Sequence, residues 1–165
     1  TNPYFTFLRD SSARIEMVLG DARLSLEREF KEQGSQNFDV LVIDAFSSDA
    51  IPVHLLTSEA LDVYLEHLRG PNSILAFHVS NRVLDLRYVL VALAAQKHLA
   101  VVRLHKNKSD NGDSGERSDW IMLARNPQAL QLGAFDGHIA PMPQPDDRML
   151  WTDDYSNLFR VLLRR

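Results

Sequence analysis

The sequence predicts an α/β domain with a mostly parallel sheet that ends in an antiparallel hairpin. Strand-like and helix-like segments alternate along most of the chain, the pattern that builds parallel sheets through crossover helices. The run Phe38–Ile43 is apolar and β-favouring without polar alternation, as expected of a strand covered on both faces. The strand candidates Ala100–Leu104 and Asp119–Ala124 are joined by a polar, Gly-bearing segment with no helical period, so they are expected to pair as a hairpin.

The elements follow in order. Ile15–Leu19 reads as a short strand closed by Gly20-Asp21, and Ala22–Lys31 carries Leu26 and Phe30 at helical spacing before Gly34 stops it. Strand Phe38–Ile43 ends on Asp44. Thr57 or Ser58 then caps a helix whose apolar residues Leu61, Tyr64, Leu65 and Leu68 share one face, with Gly70-Pro71 as the stop. Ser73–Val79 is a third strand. Asn81 is expected to cap a helix over Leu84–His98, in which Leu86, Leu90 and Leu93 form a core stripe. After the hairpin, Asn126-Pro127 opens a short helix, Gly133–Asp147 reads as a surface loop, and Ser156–Arg164 reads as a closing helix capped by Asp153-Asp154, a reading preferred over these acids closing on a cation beside Trp151 and Tyr155.

Composition narrows the function. With 45% hydrophobic and 24% charged residues, the 165-residue chain has the make-up of one globular domain. A net charge of -4 argues against a nucleic-acid surface and suits a small cationic substrate. The absence of cysteine excludes disulfides, thiolate catalysis and cysteine zinc sites. The six histidines show no His-x-His or His-Glu-x-x-His spacing, so no metal site is expected. No apolar run is long enough to span a bilayer, and a cytoplasmic setting is the default expectation. The opening segment from Thr1 reads like the interior of a longer chain, so a fragment is expected.

The candidate site lies where the strand Phe38–Ile43 ends. Ligands of open α/β sheets bind beyond the carboxyl ends of the strands, and an acid there escapes the cost of a buried unpaired charge. Asp44 stands at that end, against the plainer reading of a cap on the following turn, and Asp49 adds a second acid in the Pro52-containing loop that follows. His78, ending the strand Ser73–Val79, is a further candidate for the same crevice, against the plainer reading of a structural histidine.

Taken in order, Val18-Leu-Gly-Asp21-Ala-Arg, Phe38-Asp-Val-Leu-Val-Ile-Asp44 with Ser48-Asp49 and Pro52, and Ser58-Glu59 resemble the polyamine aminopropyltransferases, the spermidine synthase family. The closing Leu150-Trp-Thr-Asp-Asp-Tyr-Ser-Asn-Leu158 is similar to the tail of spermidine synthase-like domains that are often fused to membrane helices. The resemblance covers most of the chain and implies a Rossmann-like, methyltransferase-type sheet with a terminal antiparallel hairpin. It implies that Asp21 bonds the adenine amino group with Ala22 lining the base, that Asp44 takes the proton from the attacking amine, and that Asp49 helps hold the cationic substrate. The co-substrate would be decarboxylated S-adenosylmethionine, with no tightly bound cofactor, an amine such as putrescine as acceptor, and a homodimer as the assembly. The family's Gly-rich nucleoside-binding turn is absent from this chain and would lie before Thr1. The spacing Asp44-Ala-Phe-Ser-Ser-Asp49 is longer than the family's Asp-Ser-Ser-Asp, and the segment Lys106–Ser118 offers no aromatic residue to a polyamine. Two other readings stay open: an S-adenosylmethionine-dependent methyltransferase on the same fold, and a non-catalytic adenosyl-binding domain of a membrane-anchored protein.

Overall fold

The computed structural model describes residues 6–46, 51–81, 83–107 and 117–162. Its centre is a five-stranded mixed sheet of β1 (Val40–Ile43), β2 (Ile74–His78), β3 (Ala100–Lys106), β4 (Ser118–Ala124) and β5 (Ile139–Ala140), in the spatial order β1-β2-β4-β3-β5. The expectation of a mostly parallel sheet is corrected: among the described strands β1 and β2 pair parallel, with Ile43 opposite Phe77, and the other pairings are antiparallel because the hairpin and β5 complete the sheet. The expected hairpin forms, and β4 inserts between β2 and β3, antiparallel to both. Four helices accompany the sheet: the single turn α1 (Phe7–Asp10), α2 (Ala22–Gln33), α3 (Ser58–Glu66) and α4 (Arg87–Gln96).

The capping signals place two helices closely. Asp21 caps α2, its carboxylate accepting from the Leu24 N–H, and Thr57 caps α3 by accepting from the Ala60 N–H. Gly34 takes a positive φ of 81° at the end of α2 and donates its N–H to the Phe30 carbonyl, a geometry that favours glycine. Asn81 does not cap α4. Its side-chain oxygen accepts from the N–H groups of Val83 and Leu84, so it closes a turn ahead of the helix, which begins only at Arg87.

One face of the sheet carries the core. Ile43, Leu75, Phe77, Ile121 and Leu123 point to it and pack with Leu61, Tyr64 and Leu65 of α3 and with Leu90, Leu93 and Ala94 of α4. The leucine stripe Leu86, Leu90 and Leu93 is fully buried, as its spacing predicts. The expectation that β1 is covered on both faces is corrected. Val40 and Val42 are 54% and 50% exposed while Ile43 is 5% exposed, so burial alternates along an edge strand whose second face is open among the described residues.

Three further expectations are corrected. Ile15–Leu19 forms no strand, and residues 11–20 are exposed throughout. A strand needs a neighbour to take its backbone hydrogen bonds, and no ladder joins this segment to β1 or to another described strand. Gly133–Asp147 is more than a loop, since it supplies the edge strand β5, which pairs with Arg103 and Leu104. The closing helix is reduced to a 3-10 turn over Leu158–Val161; it is tied back where the Asp85 N–H donates to the Val161 carbonyl at 2.6 Å.

Candidate functional site

The parallel pairing of β1 and β2 brings Asp44 beside His78. Because Ile43 lies opposite Phe77, the next residues fall side by side at the carboxyl ends of both strands, on the sheet face away from the helices. His78 Nδ1 and Asp44 Oδ1 are 2.8 Å apart. The His78 ring stacks on Trp120, its partner across the β2–β4 ladder, with centroids 4.6 Å apart and planes inclined by 20°. Asp44 remains half exposed, whereas His78 keeps 20% of its side chain in solvent. An ionised carboxylate can only accept, so this contact places a hydrogen on Nδ1, and in the neutral ring Nε2 is then left with a lone pair.

A second group of polar side chains surrounds a cavity of about 690 Å³ whose lining includes Asp21, Leu24, Val53, His54, Thr57 and Asp153. Asp21 Oδ1 accepts from the Leu24 N–H at 3.0 Å, and Oδ2 lies 2.7 Å from His54 Nε2. The backbone bond from Leu24, helped by His54, holds the Asp21 carboxyl below the usual range. Ala22 is the first residue of α2, exposed and outside the lining of this cavity.

Arg23 anchors the cavity wall. Its two terminal nitrogens reach Asp153 Oδ1 and Oδ2 at 2.6 and 2.7 Å, while Nε donates to Glu27 at 2.8 Å. Thr57 also donates its hydroxyl to Asp153 at 2.8 Å, and the Asp153 N–H donates to Glu59 at 3.1 Å. The Arg23 guanidinium, seconded by Thr57, pulls the Asp153 carboxyl down to about 2. This corrects the expectation that Asp153 caps a closing helix: the fully buried Trp151 is held by the Ser58 N–H on its carbonyl, which aims the tail at α2 and α3.

The predicted site residues therefore fall in two groups. Asp44 and His78 meet, Asp21 belongs to the cavity wall, and Asp49 lies outside the described residues. Sequence reasoning missed Trp120, His54 and Arg23. Alternation along Asp119–Ala124 put Trp120 on the face opposite Ile121, but only the inter-strand register shows that it lies against His78. Among the described residues no group of three His, Asp or Glu side chains is arranged to hold a metal ion, and no helix is long and apolar enough to cross a membrane. No protein-family description and no curated protein matches the chain.

Proposed function

We propose that this domain transfers an aminopropyl group from decarboxylated S-adenosylmethionine to a small amine, with the Asp44–His78 pair as proton acceptor. The observation that carries the reading is the carboxylate at the end of β1 joined at 2.8 Å to an imidazole at the end of β2. An alkylammonium with a pKa of about 10.4 is almost wholly protonated at neutral pH, so the nucleophile must lose a proton before or during attack. The amine nitrogen then bonds to the carbon beside the sulfonium, the C–S bond breaks, and its electron pair stays on sulfur as a neutral thioether. The nitrogen's proton passes to the pair.

Other features agree with this reading. A parallel pair followed by an antiparallel hairpin is the sheet ending that the resemblance to aminopropyltransferases implies. The cavity beside Asp21 is within the roughly 300–1,000 Å³ common for small-ligand sites, and each Asp21 oxygen keeps a lone pair beyond its present bond, fitting a donor such as an adenine amino group.

The test is product analysis on the intact protein with putrescine and either donor. Formation of methylthioadenosine and spermidine from decarboxylated S-adenosylmethionine is the expected result. Methylated product and S-adenosylhomocysteine from ordinary S-adenosylmethionine, with no aminopropyl transfer, would move the assignment to a methyltransferase.

A further inference from the structure

We infer that His78, rather than Asp44, is the catalytic base, and that Asp44 is a positioning residue that fixes the imidazole with Nε2 free to accept the proton. The inference rests on the transferase reading above and assigns its proton-transfer step to a different atom. Its warrant is geometric. The Asp44 carboxylate holds Nδ1–H at 2.8 Å, and among the described residues no hydrogen bond reaches His78 Nε2. The indole of Trp120 lies flat under the ring and fixes its plane.

The chemistry favours the imidazole. In model peptides imidazole is more basic than a carboxylate by about 2.6 pK units, so it is the better match to a proton leaving an amine near neutral pH. Proton uptake makes the ring an imidazolium, which the adjoining carboxylate and the indole face both stabilise. The balance is simple: the amine N–H bond breaks, Nε2 gains that proton, Nδ1 keeps its own, and the imidazolium later releases the Nε2 proton to water. Asp44 stays ionised throughout.

Among the described residues, the groups in contact with His78 are Asp44, immediately after β1, and Trp120 of β4. Asp119 and His105, one residue from Trp120 and Leu104 along their strands, lie on the opposite sheet face, where Arg103 binds Asp119.

The experiment uses the intact protein and two readouts. Imidazole 15N spectra should give His78 as the Nδ1–H tautomer, and Asp44→Asn should disturb that pattern; a proton on Nε2 in the unmodified protein would overturn the assignment whether or not turnover is seen. For turnover, His78→Gln should lower kcat at saturating substrates by roughly a hundredfold or more and remove the acidic limb of the pH profile. His78→Ala should regain part of the rate on adding imidazole, which guards against a loss caused only by misfolding. If His78→Gln keeps the wild-type rate and pH profile, Asp44 acts as the base directly and the inference fails. If the unmodified protein transfers nothing from either donor, the proposed function falls, and the tautomer alone then decides whether Asp44 orients His78.

Discussion

At the residue scale the decisive feature is that one carboxylate can have two jobs, and a single substitution separates them from a turn-capping role. Asp44→Asn preserves size but cannot fix the Nδ1–H tautomer as a carboxylate does, nor stabilise the imidazolium. We expect transferase turnover of the intact protein to fall by roughly two to four orders of magnitude, with binding of methylthioadenosine by calorimetry little changed, since Asp21 stands in a separate cavity. A turn cap would predict otherwise: an amide oxygen accepts a backbone hydrogen bond too, so the rate would barely move. An unaltered rate at saturating amine and donor removes Asp44 from the chemistry. The place of Asp44 at the end of β1 was legible in the sequence because an apolar strand ending on an acid is a local pattern. His78 was a candidate for the same crevice, but its direct contact with Asp44 depends on a parallel register that only the folded sheet sets.

At the element scale, a buried histidine at the end of the next helix contacts α2 directly. No residue of α2 is fully buried, yet His67, immediately after α3, is 0% exposed. Its Nδ1 accepts from the Gln36 N–H at 3.2 Å, and its Nε2 lies 3.0 Å from the Leu26 carbonyl, so the partners fix the neutral Nε2–H tautomer. The Phe30 ring meets it edge-on at 5.6 Å. His67→Ala leaves a cavity and unpairs a backbone donor and acceptor, and should cost about 2–4 kcal/mol in urea unfolding. His67→Phe refills the space without the bonds and should recover only part of that loss. A cost below about 1 kcal/mol for the alanine variant would show that α2 is docked by other contacts. The sequence signals that succeeded here are local ones, such as the Thr57 cap and the leucine stripe in α4. Those that failed concern pairing at a distance: four apolar residues in Ile15–Leu19 look like a strand, but strand formation is decided by a neighbour the local pattern does not contain.

At the scale of the whole molecule, an ion pair between Arg23 of α2 and Asp153 joins segments far apart in the sequence. Arg23 and Asp153 are separated by 130 positions, so no local pattern announces them, although the acid pair in the closing Trp-Thr-Asp-Asp-Tyr segment was visible. The tie fastens the tail to α2 and α3 and builds one wall of the cavity that contains Asp21. Its pH dependence has a definite sign. The folded Asp153 carboxyl sits at about 2, below the unfolded value near 3.9, so its contribution is present above about pH 4 and is lost as pH falls toward 2. Asp21, also held low, adds in the same direction. Since Asp153 is 43% exposed and Arg23 retains Glu27 as a partner, solvent screening limits the effect of Asp153→Asn at pH 7 to about 1 kcal/mol, or about 2–4 °C in Tm. Thermal unfolding of the two proteins should give curves separated at pH 5–7 that draw together as pH falls to about 2, where half of the native carboxyls are protonated. Curves that stay parallel throughout that range would mean that the tail is held by Trp151 packing and the Ser58 bond alone, with the ion pair incidental to closing the fold.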